Sequence, residues 1–248
     1  ARKGNMLSAA GMFLAIAATL TSGQLSFQWI LIGIIIGGGL GTLVAFKAAM
    51  TQMPEMIALL HGCGALASVF VGWSAYHVHG SPDLTNTITL YLSIVIGGLT
   101  FTGSIIAWGK LSGRIPGKPI LFIGQRLLNM ALISAILILG VLFIMDPARY
   151  DLFLIILGLS VFFGIFLVIP IGGADMPVVI SVLNSYSGIV ACTTGFVIHN
   201  TLLIVVGALV GANGIILSVI MCKAMNRSII NVIFGAFGAV VKKKSDGE

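Results

Sequence analysis

A chain of 248 residues with 58% hydrophobic and only 8% charged residues cannot cover itself with polar groups in water, where soluble domains carry about 25% charge. Mean hydropathy is +1.13, so composition excludes an ordinary soluble fold and predicts a lipid-embedded one. The net charge of +6 would indicate an anionic partner if the cations clustered, but their spacing follows membrane topology instead.

Crossing roughly 30 Å of hydrocarbon takes about 20 apolar residues at 1.5 Å rise each. The fold class expected is therefore all-α, a polytopic transmembrane helix bundle of about eight spans. In chain order they run near residues 6–21, 27–46, 53–76, 86–108, 127–144, 152–170, 178–198 and 202–221, the first being the shortest. Residues 223–237 read as a short interfacial helix that closes a membrane domain of residues 1–237. Residues 238–248, with Lys242, Lys243 and Lys244, read as a solvated linker.

The cations test this count. With the N-terminus inside, eight spans put Arg2, Lys3, Lys47, Lys110, Arg114, Lys118, Arg126, Lys223, Arg227 and Lys242 to Lys244 on that side. Arg149 falls opposite, where the loops hold Asp83, Asp146 and Asp151. Such an excess of Lys and Arg marks the cytoplasmic or matrix side, and both ends are predicted to face it. The opening Ala1-Arg2-Lys3 and the lack of a cleavage pattern after the first apolar run argue against a cleavable signal peptide.

The 32 glycines are too many for loops alone. Gly33, Gly37 and Gly41 recur on the second span, and Gly207, Gly211, Gly214 and Ser218 share a face of the last. Such stripes let helix backbones approach closely. Gly62-Cys63-Gly64-Ala65-Leu66-Ala67 matches a dinucleotide-binding pattern, but that pattern needs a strand-to-helix turn. Inside an apolar helix it reads as a packing surface, so no nucleotide cofactor is expected on this segment. Cys63, Cys192 and Cys222 show no metal-ligand spacing and read as small apolar residues.

The polar residues inside the spans carry the functional signal. His61 lies about 12 Å into the third span, where an ionisable side chain is expensive and usually marks an ion path. Imidazole also exchanges protons near neutral pH. The alternative is a neutral histidine bonded to a neighbouring helix. Asn184 lies at similar depth in the seventh span, and Ser181, Asn184, Ser185 and Gly188 share one face. It either faces His61 across a polar path or makes a structural interhelical bond.

Asp175, in the turn before the seventh span, is either a helix cap or one half of a charge pair or docking surface with Arg227. Glu55 beside Pro54 fits the dipole at a helix start. His77, His79 and His199 lie at outer ends and are expected to be solvated.

Several stretches together resemble one family. They are Met53-Pro54-Glu55 with His61, Thr100-Phe101-Thr102-Gly103-Ser104 leading to Gly109-Lys110-Leu111, the block from Gly172 through Gly188, and that from Leu202 through Ser228. They resemble the membrane domain of the beta-type subunit of proton-translocating NAD(P) transhydrogenase over nearly the whole chain.

The resemblance implies an enzyme that couples hydride transfer between NAD(H) and NADP(H) to proton movement. Separate soluble domains would hold the nucleotides: domain I for NAD(H), domain III for NADP(H). His61 and Asn184 would lie in the proton pathway, while Asp175, Arg227, Gly214 and Ser218 would serve coupling. The implied partners are those domains, alpha-type membrane helices, membrane lipid and a second copy in a dimeric holoenzyme, with no nucleic acid. The implied location is a bacterial inner or mitochondrial inner membrane.

The family usually adds a helix before this segment and an NADP(H)-binding domain after it. Ala212-Asn213 stands where a pair of serines is common. Two rival readings remain at this level: a proton-coupled secondary transporter, which would need broken helices and internal repeats, and a passive membrane anchor.

Overall fold

The computed structural model describes residues 2–21, 27–78, 83–226 and 228. Eight α-helices occur where eight spans are expected. They are α1 (Arg2–Thr21), α2 (Phe27–Lys47), α3 (Met53–Val78), α4 (Leu84–Leu111), α5 (Gln125–Met145), α6 (Tyr150–Val168), α7 (Met176–Val197) and α8 (Thr201–Ala224). No strand occurs among the described residues. Among the described residues seven helices, α2 to α8, are long and apolar enough to cross a membrane. α1 carries Arg2 and Lys3 in its first turn and is not one of the seven. Arg227, His79 and nearly all of the expected interfacial helix and linker lie outside the described residues.

The chain divides into two units, residues 1–50 and 51–248. The first holds α1 and α2. Helix α2 buries no residue, and a Cβ built on Gly33, Gly37 or Gly41 meets no atom within 4 Å.

The second unit is a bundle of α3 to α8. α4 packs against α3, α5, α6 and α7, and α7 packs against α3, α4 and α8. Neighbours in sequence alternate in direction. Gly62 meets Ser104 while Gly72 meets Leu90, so α3 and α4 are antiparallel. Gly188 meets Gly211 while Gly195 meets Ile204, so α7 and α8 are too. α4 and α6 run parallel, because Gly98 meets Ser160 and Gly103 meets Val168.

One end of this bundle is basic, holding Lys110, Arg114, Lys118, Arg126 and Lys223. The other holds Asp83, Asp146 and Asp151. Arg149, the one Lys or Arg there among the described residues, donates to Asp151 at 2.8 Å. That hydrogen bond raises the guanidinium's already high pKa further. An aromatic cluster of Tyr76, Phe143, Tyr150 and Phe153 packs the acidic end, where Tyr76 donates to the Pro147 carbonyl at 3.0 Å.

At the basic end the structure corrects one expectation. Lys110 was expected just past a span ending near Trp108, but α4 runs on to Leu111 and Lys110 is 5% exposed. Its ammonium donates to the carbonyls of Ile169 and Ile171, just past the end of α6. A lysine satisfies such terminal carbonyls and complements the helix dipole. The loop below joins the same turn, since the Gly173 N–H donates to the Gly117 carbonyl at 2.8 Å.

Candidate functional site

Helices α3 and α7 begin alike, with Met-Pro in their first turns, where proline costs no helix hydrogen bond. Both are antiparallel to α4 and therefore parallel to each other. Three contacts with α4 fix their relative height. Near the basic end, Gly62 abuts Ser104 and the adjacent Gly103 abuts Leu183. Midway, Val69 and Ala65 converge with Val190 on Gly97. Farther along, Gly72 lies beside Ser93, whose hydroxyl bonds that of Thr194 at 2.9 Å. The offset between α3 and α7 is nearly the same at all three heights, and it sets His61 level with Asn184.

Helical spacing of about 100° per residue then assigns the faces. On α3 the packed face carries Ala58, Gly62, Ala65 and Val69, and His61 stands at its edge, half-buried. The opposite edge carries Trp73, which meets Phe153 of α6, so the edge with His61 lies on the α7 side. On α7, Ser181, Ser185 and Gly188 face α8, while Leu183 and Val190 face α4. Asn184 lies on the flank between them, also half-buried. Sequence reasoning put Asn184 on one face with Ser181, Ser185 and Gly188. In the bundle those three are committed to α8, and Asn184 is at the margin of their seam.

The structure adds Ser104 to this level. It is fully buried at 0% exposure, and its Oγ has no hydrogen-bond partner among the described residues. That hydroxyl lies 3.9 Å from the Cβ position of Gly62, next to His61 in sequence. Buried hydroxyls are normally satisfied. A signal existed in the sequence, since Ser104 closes the Thr100–Ser104 run beside Gly103. In an apolar helix, however, a serine looks like any small packing residue.

Helix α8 meets α7 at the same height through backbone contact. A Cβ on Gly214 would stand 2.6 Å from Ser185 Cα. The Gly214 carbonyl accepts from Ser181 at 3.2 Å and from Ser218 at 2.7 Å. The Gly211 carbonyl accepts from Ser185 at 2.7 Å. Ser218 is 1% exposed, so Gly214 and Ser218 form part of the joint between α7 and α8.

Asp175 occupies the N-cap position of α7, but its side chain makes no capping bond to the helix. It sits at the end of the 3-10 turn Gly173–Asp175 and is half-buried. The following residue, Met176, packs in one cluster with Cys222 near the end of α8. The expected pairing of Asp175 with Arg227 lies outside the described residues. Gly62 packs on α4 as expected, whereas Gly64 meets nothing within 4 Å. Among the described residues no group of three or more His, Cys, Asp or Glu is placed to hold a metal ion.

Four helices thus contribute to one level of the bundle: His61 from α3, Ser104 from α4, Asn184 from α7 and Gly214 from α8. The imidazole can accept and release a proton, the hydroxyl and amide can each donate and accept a hydrogen bond, and the glycine lets α8 close against Ser185, the neighbour of Asn184 on α7.

Comparison with known proteins agrees with the motifs. The family model described as NAD(P) transhydrogenase beta subunit matches residues 1–248. The NAD(P) transhydrogenase subunit beta of Rhodospirillum rubrum is 44% identical over 248 aligned residues, covering 96% of this chain and 53% of that protein. A second Rhodospirillum rubrum record of that subunit gives the same figures. The chain spans about half the length of the curated relatives it matches. By the family match over its whole length, this chain belongs to the NAD(P) transhydrogenase beta subunit family.

Proposed function

We propose that this chain is the proton-conducting membrane part of a nicotinamide nucleotide transhydrogenase, with His61 as the group that takes up and releases the proton. One observation carries the reading: His61, Ser104 and Asn184 come from three helices to one level of the bundle, His61 being the ionisable one. Ionisable residues at such depth usually mark ion paths. Asn184, Ser104 and intervening water would orient the imidazole and pass its proton on.

Hydride transfer between NAD(H) and NADP(H) takes place on separate soluble domains. The NADP(H)-binding domain docks at the basic end, near Asp175 and Arg227, and its state decides which side of the membrane His61 can reach. For that to work, the docked domain must bind the two membrane states with different affinity. The surrounding partners are alpha-type membrane helices, a second copy of the assembly and the lipid of a bacterial or mitochondrial inner membrane. The basic end, and both chain ends with it, face the cytoplasm or matrix.

The test is a reconstituted holoenzyme carrying His61→Ala, assayed for both hydride transfer and proton pumping. The reading expects pumping to be lost. Pumping at the unaltered rate would remove His61 from the path and leave the bundle as an anchor. Solute flux through vesicles in the absence of nucleotides would instead favour a secondary transporter.

A further inference from the structure

From the loop after α4 into the first turn of α5 the chain reads Lys118-Pro119-Ile120-Leu121-Phe122-Ile123-Gly124-Gln125-Arg126. Four apolar residues in a row lie outside any helix, at 37%, 47%, 41% and 105% exposure for Ile120 to Ile123. In water, such a run would be a folding liability unless something covers it.

Its height in the bundle is fixed by three contacts. The Ile120 N–H donates to the Ile169 carbonyl at 3.5 Å. The Phe122 ring meets Phe166 edge-on, with centroids 5.9 Å apart. Gln125 Nε2 donates to the Phe166 carbonyl at 3.4 Å. The segment therefore lies beside the last turn of α6, level with the ends of the spanning helices. Phe162, one turn along α6 from Phe166, is 58% exposed, and Leu127 and Met130 of α5 are 74% and 53% exposed. The apolar run thus continues a lipid-facing flank.

Two further features narrow the occupant. Non-helical backbone exposed to lipid does not occur within the hydrocarbon, so residues 118–123 belong at the headgroup boundary. Lys118 and Arg126 are both exposed and bracket the apolar run, and no acid occurs between Trp108 and Met145. Arg114, the other loop cation, already stacks on Trp108, with its guanidinium 4.5 Å from the ring centroid.

We infer that residues 118–126 form a docking surface for an anionic phospholipid. Ile120 to Ile123 seat among the upper acyl chains, and the Lys118 ammonium and Arg126 guanidinium take the headgroup phosphate. Arginine suits phosphate through paired N–H donors, and long basic side chains at helix ends reach readily to the interface. A soluble protein domain fits the apolar run less well, because Phe122 and Gln125 sit beside Phe166 of α6, whereas Gly117 and Pro119 reach the Gly172–Gly173 turn beyond its end.

The experiment uses the complete enzyme with its partner subunits, carrying a photoactivatable phenylalanine at position 123. The vesicles contain equal amounts of phosphatidylglycerol and phosphatidylcholine. Irradiation should give lipid adducts with phosphatidylglycerol in excess. Lys118→Gln and Arg126→Gln should each lower that excess by about fivefold, while Lys118→Arg and Arg149→Gln should leave it in place. Equal adducts of the two lipids, an excess that survives the double Lys118→Gln/Arg126→Gln change, or adducts to a partner polypeptide instead of lipid would each overturn the assignment.

Discussion

Gly214 of α8 approaches Ser185 of α7 so closely that a Cβ built on it would lie 2.6 Å from both the serine's N and its Cα. Neither is the flexible end of a side chain, so an added methyl could be accommodated only by moving one helix. Gly214→Ala should therefore cost about 1–3 kcal/mol, the usual range for overpacking. Denaturant titration in detergent would measure it. An unchanged midpoint would mean that the α7–α8 contact is looser than described.

Lys110 offers a second test. Its ammonium is buried and satisfies two carbonyls beyond α6. Lys110→Met keeps most of the apolar stem but takes the lysine donor from the Ile171 carbonyl and leaves the Ile169 carbonyl with only the 3.5 Å bond from the Ile120 N–H, a loss of about 1–3 kcal/mol. The expected result is a lower unfolding midpoint, together with faster proteolysis in the Ile169–Asp175 turn. A midpoint equal to that of the unaltered protein would show that the clamp contributes nothing.

Ser104 should separate stability from transport. Its buried hydroxyl has no partner among the described residues, and an unsatisfied buried group costs about 1–3 kcal/mol. Ser104→Ala should accordingly leave stability unchanged or improved. If the hydroxyl serves the proton path, the same variant lowers the protons moved per hydride transferred. A more stable protein that pumps normally would confine Ser104 to packing.

The Ser93–Thr194 bond links α4 to α7 between residues that are 0% and 3% exposed. A double-mutant cycle with Ser93→Ala and Thr194→Val should give a coupling of about 0.6 kcal/mol, typical of interhelical bonds in membranes. Simple additivity of the two changes would argue that the hydroxyls do not share a proton.

Much of the fold was readable beforehand because the signal is coarse. Hydrophobic runs long enough to cross lipid placed seven helices to within a few residues, from α2 at Phe27–Lys47 to α8 at Thr201–Ala224. The depth of His61 and Asn184 could be counted from their helix starts.

The side of Lys110 was readable from the count of spans, but its burial was not. Nothing local reveals that carbonyls some 60 residues later in the chain will cover it. Ser104 was passed over for a related reason: whether a hydroxyl in an apolar helix is satisfied depends on neighbours from other helices. The division of α7 into a face for α8, a face for α4 and the flank with Asn184 likewise depends on which helices pack where, which periodicity alone does not state.

The glycine seam between α7 and α8 has a mechanical meaning. Backbones that touch at Gly188, Gly195, Gly207 and Gly214 leave no side chains between them to absorb a shift, so moving α8 against α7 would drive backbone into backbone. A displacement of α8 would therefore be felt at Ser181 and Ser185, which bracket Asn184 along α7.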